Sequence, residues 1–318
     1  MKRTLAILLA APLVAAGSIA AAQDYPTQAI TLIVPYSPGG GGDTVARIVA
    51  DRLGEELGQT INVVNREGAG GEIGIAEMAR AQPDGYTLGV FGYPDNIVLE
   101  HTRDTDFDFE SFEYLAGFDL TPMGMFAAPG APFDDLESLR EHAEAQPGAV
   151  VVGESGALGL LAILAFGDEL GVQLTPIRYA GGGELMNALL GNHIDMASTS
   201  SMSHDPITDA GGTPIGFFAD ERMDMFPDVP TFAEQGVDLE MGVGRVLVAP
   251  AGIPDDVRDR LTEALDAMSD DEAMINRFET AALPYQYRDH DEVNDWLEAQ
   301  NETYIRIIEE NEEHFEGS

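Results

Sequence analysis

Apolar residues recur along this chain with two alternating periods. Residues 30–35 form a short apolar run of the kind a buried strand shows. Val45, Ile48 or Val49, Leu53 and Leu57 then recur at spacings of three and four, the stripe of an amphipathic helix. That helix is expected to be capped by Asp43 or Thr44 and stopped by Gly58. A strand over 61–64, a helix around 73–81, a turn at Pro83-Asp84-Gly85 and a strand over 86–91 follow. The pattern restarts with helix 136–145, strand 149–152, helix 157–170, strand 177–179, helix 184–190 and strand 194–197. Helices over 256–268 and 292–310 dominate the last third. Such alternation predicts a parallel sheet covered on both faces, here in two α/β units.

The connections before the helices share one chemistry. They read Ser37-Pro38-Gly39-Gly40, Gly68-Ala69-Gly70-Gly71, Gly153-Glu154-Ser155-Gly156 and Gly181-Gly182-Gly183. In open α/β sheets, ligands sit beyond the carboxyl ends of strands, where helices begin. A helix start offers unpaired N–H groups and about half a positive charge, and glycine lets a ligand approach that backbone closely. On two facing units, such loops form a clamp for an anion charged at both ends. The plain alternative is four tight turns.

Composition narrows the classes. The chain has 318 residues, a net charge of −40 and no cysteine. Disulfides, thiolate metal sites and a cysteine nucleophile are excluded. The acidity argues against nucleic acid. Lys2 and Arg3, an apolar run to Ala16, and Ala20 and Ala22 before Gln23 form a signal peptide with cleavage expected after Ala22. Lys2 is the only lysine, so the mature chain sets 14 arginines against 56 acidic residues, a charge of −42. Salt at 1 M shortens the Debye length to about 3 Å, so the composition suits an exported halophilic protein.

Motifs that imitate catalytic sites fail on inspection. Gly153-Glu154-Ser155-Gly156-Ala157 resembles a serine nucleophile elbow, but Ala157 replaces its last glycine and no oxyanion segment precedes it. A secreted α/β hydrolase using Ser155 is the alternative function. A P-loop needs a lysine that the mature chain lacks. Phe109 and Leu115 break the calcium-loop pattern that starts at Asp104. The six histidines show no metal spacing. No catalytic residue, metal or cofactor is expected.

Several ordered segments carry a resemblance. Ile33-Val34-Pro35-Tyr36-Ser37-Pro38-Gly39-Gly40 with Asp43, Asn65-Arg66-Glu67-Gly68-Ala69-Gly70-Gly71, and Pro83-Asp84-Gly85-Tyr86-Thr87-Leu88 are three of them. Pro227-Asp228-Val229-Pro230-Thr231-Phe232 and Ala249-Pro250-Ala251-Gly252-Ile253-Pro254 are two more. Together they resemble the periplasmic receptors of tripartite tricarboxylate transporters, the Bug or TctC family. The resemblance implies a two-lobed periplasmic-binding-protein (Venus flytrap) fold, each lobe a mixed sheet flanked by helices. It implies lobe 1 at 23–124 and 247–318 and lobe 2 at 125–246. A small di- or tricarboxylate would be captured between the lobes and delivered to a membrane permease by a soluble periplasmic monomer.

On this resemblance Tyr36, Ser37, Pro38, Gly39, Gly40, Asp43, Gly68, Ala69 and Gly70 hold one carboxylate. Glu154, Ser155, Gly156, Ala157, Tyr179, Gly181, Ser198 and Thr199 face the other end. Three residues depart from the family pattern. Arg178 stands where proline is common and Arg245 where an aromatic residue is common. Either could grip a ligand carboxylate, or form an ordinary surface salt bridge. Glu154 could receive a ligand amino or hydroxyl group, or point to solvent.

Overall fold

The computed structural model describes residues 25–311, so the cleavage expected after Ala22 lies outside them. In chain order come β1 (Ile30–Val34), α1 (Gly41–Leu57), β2 (Ile61–Asn65), α2 (Glu72–Ala79), β3 (Thr87–Tyr93), α3 (Asp95–Thr102) and the long β4 (Phe112–Ala127). Next are α4 (Leu136–Ala145), β5 (Val151–Glu154), α5 (Ala157–Leu170), β6 (Thr175–Arg178) and α6 (Gly182–Leu190). Then follow β7 (Met196–Ser200), α7 (His204–Asp209) and β8 (Thr213–Phe217). The chain closes with β9 (Gly242–Pro250), α8 (Asp255–Met268), α9 (Glu272–Thr280), β10 (Tyr285–Arg288) and α10 (His290–Glu310).

Strand–helix alternation predicted parallel pairing, and the outer strands follow it: β1 with β2 and β3, and β5 with β6 and β7. The centre does not. β9 runs antiparallel to β3 and β4, and β4 runs antiparallel to β7, β8 and β10. The sheet is therefore mixed, in the order β2-β1-β3-β9-β4-β7-β5-β6. Residues 112–122 of β4 pair with β9, whereas 123–127 pair with β7 and β8. One strand thus carries the ladder from the first lobe into the second. The chain returns at Met241, whose carbonyl accepts the Met123 N–H at 2.7 Å. From Gly242 onward β9 pairs only with first-lobe strands and with residues 112–122 of β4.

Both faces of the first lobe's sheet are buried, as the unbroken apolar runs require. Ile30, Leu32 and Val34 pack with Val45, Val49 and Leu53 of α1 and Leu261 of α8. Ile33, Phe91 and Tyr93 point to the other face, into a core shared with Leu160, Phe166 and Met196 of the second lobe and Leu297 and Tyr304 of α10. Helix α1 ends as expected, with Gly58 in the left-handed region at φ 66°. Its start differs from expectation. Gly40 is the N-cap without a side-chain bond, and Asp43 lies inside the first turn. There the carboxylate reaches back to accept the Gly39 N–H at 2.8 Å, which shapes the loop rather than capping the helix.

Candidate ligand-binding cleft

A cavity of about 560 Å³ opens between the lobes. Gly70 and the face of α3 that carries Asp95, Val98, Leu99, Thr102 and Arg103 form one wall. The turn Ser155-Gly156-Ala157-Leu158 and the segment Arg178-Tyr179-Ala180 form the other. The second-lobe wall presents a helix start: α5 has Gly156 as N-cap and no side-chain cap, leaving its first N–H groups without intrahelical partners. Gly70 lies in a backbone kink where residues 68–71 all have positive φ, Ala69 included. Arg103 steadies that kink by donating to the Ala69 carbonyl and to Glu72, each at 3.2 Å.

Arg178 and Glu154 are partners. They face each other in register on the parallel strands β5 and β6. Arg178 Nε donates to Glu154 Oε1 at 2.8 Å, and the Gly156 N–H donates to Oε2 at 2.6 Å. Glu154 is 1% exposed and Arg178 is 43% exposed. The expectations that Glu154 contacts ligand or points to solvent are thus replaced by a different role. It anchors a guanidinium whose two terminal nitrogens make no hydrogen bond among the described residues and whose side chain lines the cavity.

Arg245 does not line the cavity. Its NH1 group donates to Asp119 Oδ2 at 2.5 Å and to Thr121 Oγ1 at 2.8 Å, again across strands in register. Burial raises the Asp119 pKa from its ordinary value, against the pull of Arg245. Gly41 makes room for this guanidinium, since a Cβ there would fall 2.7 Å from NH2. The salt-bridge alternative holds for Arg245, though in a largely buried setting rather than on the surface.

The first loop stands beside the cavity rather than in its wall. Ser37, Pro38, Gly39 and Gly40 are exposed, and Asp43 is buried beneath them. Asp43 accepts from Arg47 at 2.9 Å through both oxygens, and from Asn65 at 2.9 Å. These bonds, the Arg47 one foremost, hold its pKa at about 2. Tyr36 links the loop to the cleft: its O–H donates to Asp95 Oδ2 at 2.5 Å and its oxygen accepts the Gly92 N–H at 2.8 Å. Burial, with Asp95 beside it, keeps this phenol protonated far above its ordinary range.

Among the remaining second-lobe candidates, Tyr179 lines the cavity, while Gly181, Ser198 and Thr199 do not. Gly181 caps α6, Ser198 is buried, and Thr199 pairs with Ser203 at 3.2 Å. No histidine bonds to Ser155 among the described residues, so nothing in their geometry supports the hydrolase alternative. Sequence reasoning missed the α3 wall, Asp95 above all. The available signal was Pro94-Asp95, an acidic first turn after proline.

The profile of the tripartite tricarboxylate transporter family receptor matches residues 45–312. The chain belongs to that family. It is a solute-binding receptor. A relative from Agrobacterium vitis, the UPF0065 protein in the TAR-I ttuE-ttuC' intergenic region, is 33% identical over 87% of this chain and 81% of its own length. A ligand-free TctC solute-binding protein from Polaromonas superposes with a TM-score of 0.81 at 26% identity, covering 90% of this receptor and 99% of that chain. MatC from Rhodopseudomonas palustris, solved with bound malate, shares the fold at TM-score 0.69 and 24% identity, over 89% of this receptor and 100% of its own chain. No helix among the described residues is long and apolar enough to cross a membrane.

Proposed function

We propose that this receptor captures a small dicarboxylate in the interlobe cavity and presents it to the permease of a tripartite tricarboxylate transporter. The carrying observation is Arg178, fixed at Nε by buried Glu154 and open at its other two nitrogens on a wall that also holds the α5 start. A planar guanidinium held this way matches a carboxylate in two parallel bonds. Gly70 and the turn around it receive the ligand's other end. Closure of the lobes brings Tyr36, Ser37, Pro38, Gly39 and Gly40 against it, with Asp43 and Gly68 to Ala69 shaping the two loops from behind. Bound malate in MatC supports the ligand class. The pairing of β4 and β9 supports a division between lobes near residues 122 and 241, earlier at the return than residue 246. The protein is exported, cleaved after Ala22, monomeric in the periplasm and adapted to salt.

Thermal melts of the purified mature protein with succinate, malate and glutarate test this reading. A ligand at about 100 times its Kd adds ~2.7 kcal/mol of stability, an upward shift of several degrees. No shift with any carboxylate refutes the assignment.

A further inference from the structure

Asp95 places a carboxylate where a receptor for simple dianions has no use for one. It lies on the first turn of α3 and lines the cavity between Gly70 and Arg178. The Gly92 N–H occupies the Tyr36 oxygen, so the phenol proton is directed at Asp95 Oδ2. No donor among the described residues reaches Oδ1.

The charges around the cavity make this oxygen stand out. Arg178 is matched by Glu154 and Arg103 by Glu72. Arg245, the cation behind Asp95, is committed to Asp119. Asp95 thus has no ion-pair partner among the described residues and faces the space a ligand would fill. Burial raises its pKa against the pull of the Tyr36 hydrogen bond and of Arg245, and a cationic ligand group would favour its ionised form. A carboxylate drawn out of water without a countercharge is costly, and one phenol hydrogen bond offsets only part of that cost. A succinate-like dianion would add two more negative charges and leave that cost standing.

Resting on the cleft being the dicarboxylate site, we infer that Asp95 selects a ligand with an ammonium group between its carboxylates, an amino dicarboxylate. The ammonium donates to Asp95 Oδ1, one carboxylate takes the open edge of Arg178, and the other meets the Gly70 turn. A ligand hydroxyl would fill the same position but bring no countercharge. Tyr36 then acts as a positioning residue, fixing the Asp95 rotamer from the loop side.

Titration calorimetry on the mature protein with L-aspartate, L-glutamate, L-malate and succinate, repeated on Asp95→Asn, tests the inference. Hydrogen bonds to charged groups contribute enough that the better amino ligand should bind about 10- to 100-fold more tightly than malate or succinate. Asp95→Asn should remove most of that preference while leaving succinate binding unchanged or tighter. Succinate or malate binding the wild type as tightly as the amino ligands overturns the inference, and this comparison needs no variant to fold. A variant that weakens all four ligands alike also overturns it, since Asp95 would then be supporting the wall rather than reading the ligand. Binding of succinate without an amino preference leaves the carboxylate assignment intact. Binding of none of the four by the wild type removes that assignment and this inference together.

Discussion

Replacing Asp43 with asparagine isolates the contribution of one buried carboxylate to the first loop. The wild-type group accepts from Arg47, the Gly39 N–H and Asn65, and its pKa falls from 3.8 to about 2 in the folded protein. A folded pKa below the unfolded one means stability that is fully present above pH 3.8 and lost as pH falls through 2. At 1.36 kcal/mol per unit the shift corresponds to about 2 kcal/mol at pH 7 and roughly half that at pH 3. The Asp43 side chain is 5% exposed but Arg47 is 49% exposed, so solvent screens the ion-pair share and about 1–2 kcal/mol is the expected loss in Asp43→Asn. In a chain of this size that lowers Tm by roughly 2–4 °C at pH 7. Urea melts of both proteins at pH 7, 5 and 3 read the difference directly, and carboxylates unchanged by the substitution cancel in it. The gap should be constant from pH 7 to 5 and then shrink by about half at pH 3. Equal stabilities at pH 7, or a gap that does not narrow in acid, would refute the reasoning.

Glu154→Gln should cost about 1–2 kcal/mol, because its amide must turn a donor toward either Arg178 Nε or the Gly156 N–H. It should also weaken dicarboxylate binding about tenfold through the lost orientation of Arg178; unchanged melting and affinity would show that the arginine is positioned by something else. For salt, raising sodium chloride from 0.01 to 1 M shortens the Debye length from about 30 to 3 Å. Tm should rise and stopped-flow ligand association should quicken or hold steady, whereas a steep slowing with falling Tm would contradict both the salt-adapted reading and the absence of a steering basic field.

What the sequence disclosed follows from how each element is buried. Helices α4 and α5 show the bounds the 3.6-residue pattern predicts, and α1 stops at Gly58. By contrast, β4 was not legible. Nearly all of its 16 residues are buried, so no alternation marks it, and Asp119 and Thr121 interrupt its apolar run. Helix α3 was hidden for a related reason: Ile97, Val98 and Leu99 are consecutive and all buried, so the segment shows no single face. The glycine loops were visible because residues such as Gly39 and Gly70 adopt positive φ that other side chains resist. The partners of the two unusual arginines were not. Glu154 and Arg178 are 24 positions apart and Asp119 and Arg245 are 126 apart. Only the strand register brings each pair together.

That register also answers how so acidic a protein can hold an anion. Among the described residues, thirteen arginines lie within ion-pair distance of a carboxylate. Arg260 donates to the Glu56 carbonyl. Among the described residues Arg260 is the one arginine without an ion pair, and it does not line the cavity, so at a distance the field is repulsive. Near the cleft the balance changes because paired charges act as dipoles. In Arg178–Glu154 the carboxylate is buried behind and the guanidinium is exposed in front. At an effective dielectric of 20, a ligand carboxylate about 4 Å from the cation gains about 4 kcal/mol, while an anion twice as far away returns only half of that. The attraction therefore survives only within a few ångströms, where it adds to the N–H groups at the start of α5. At the Arg178 edge such a site reads the placement of a carboxylate rather than the ligand's net charge. A ligand must place its carboxylate at the guanidinium edge before it gains anything, and every misplaced anion meets only repulsion.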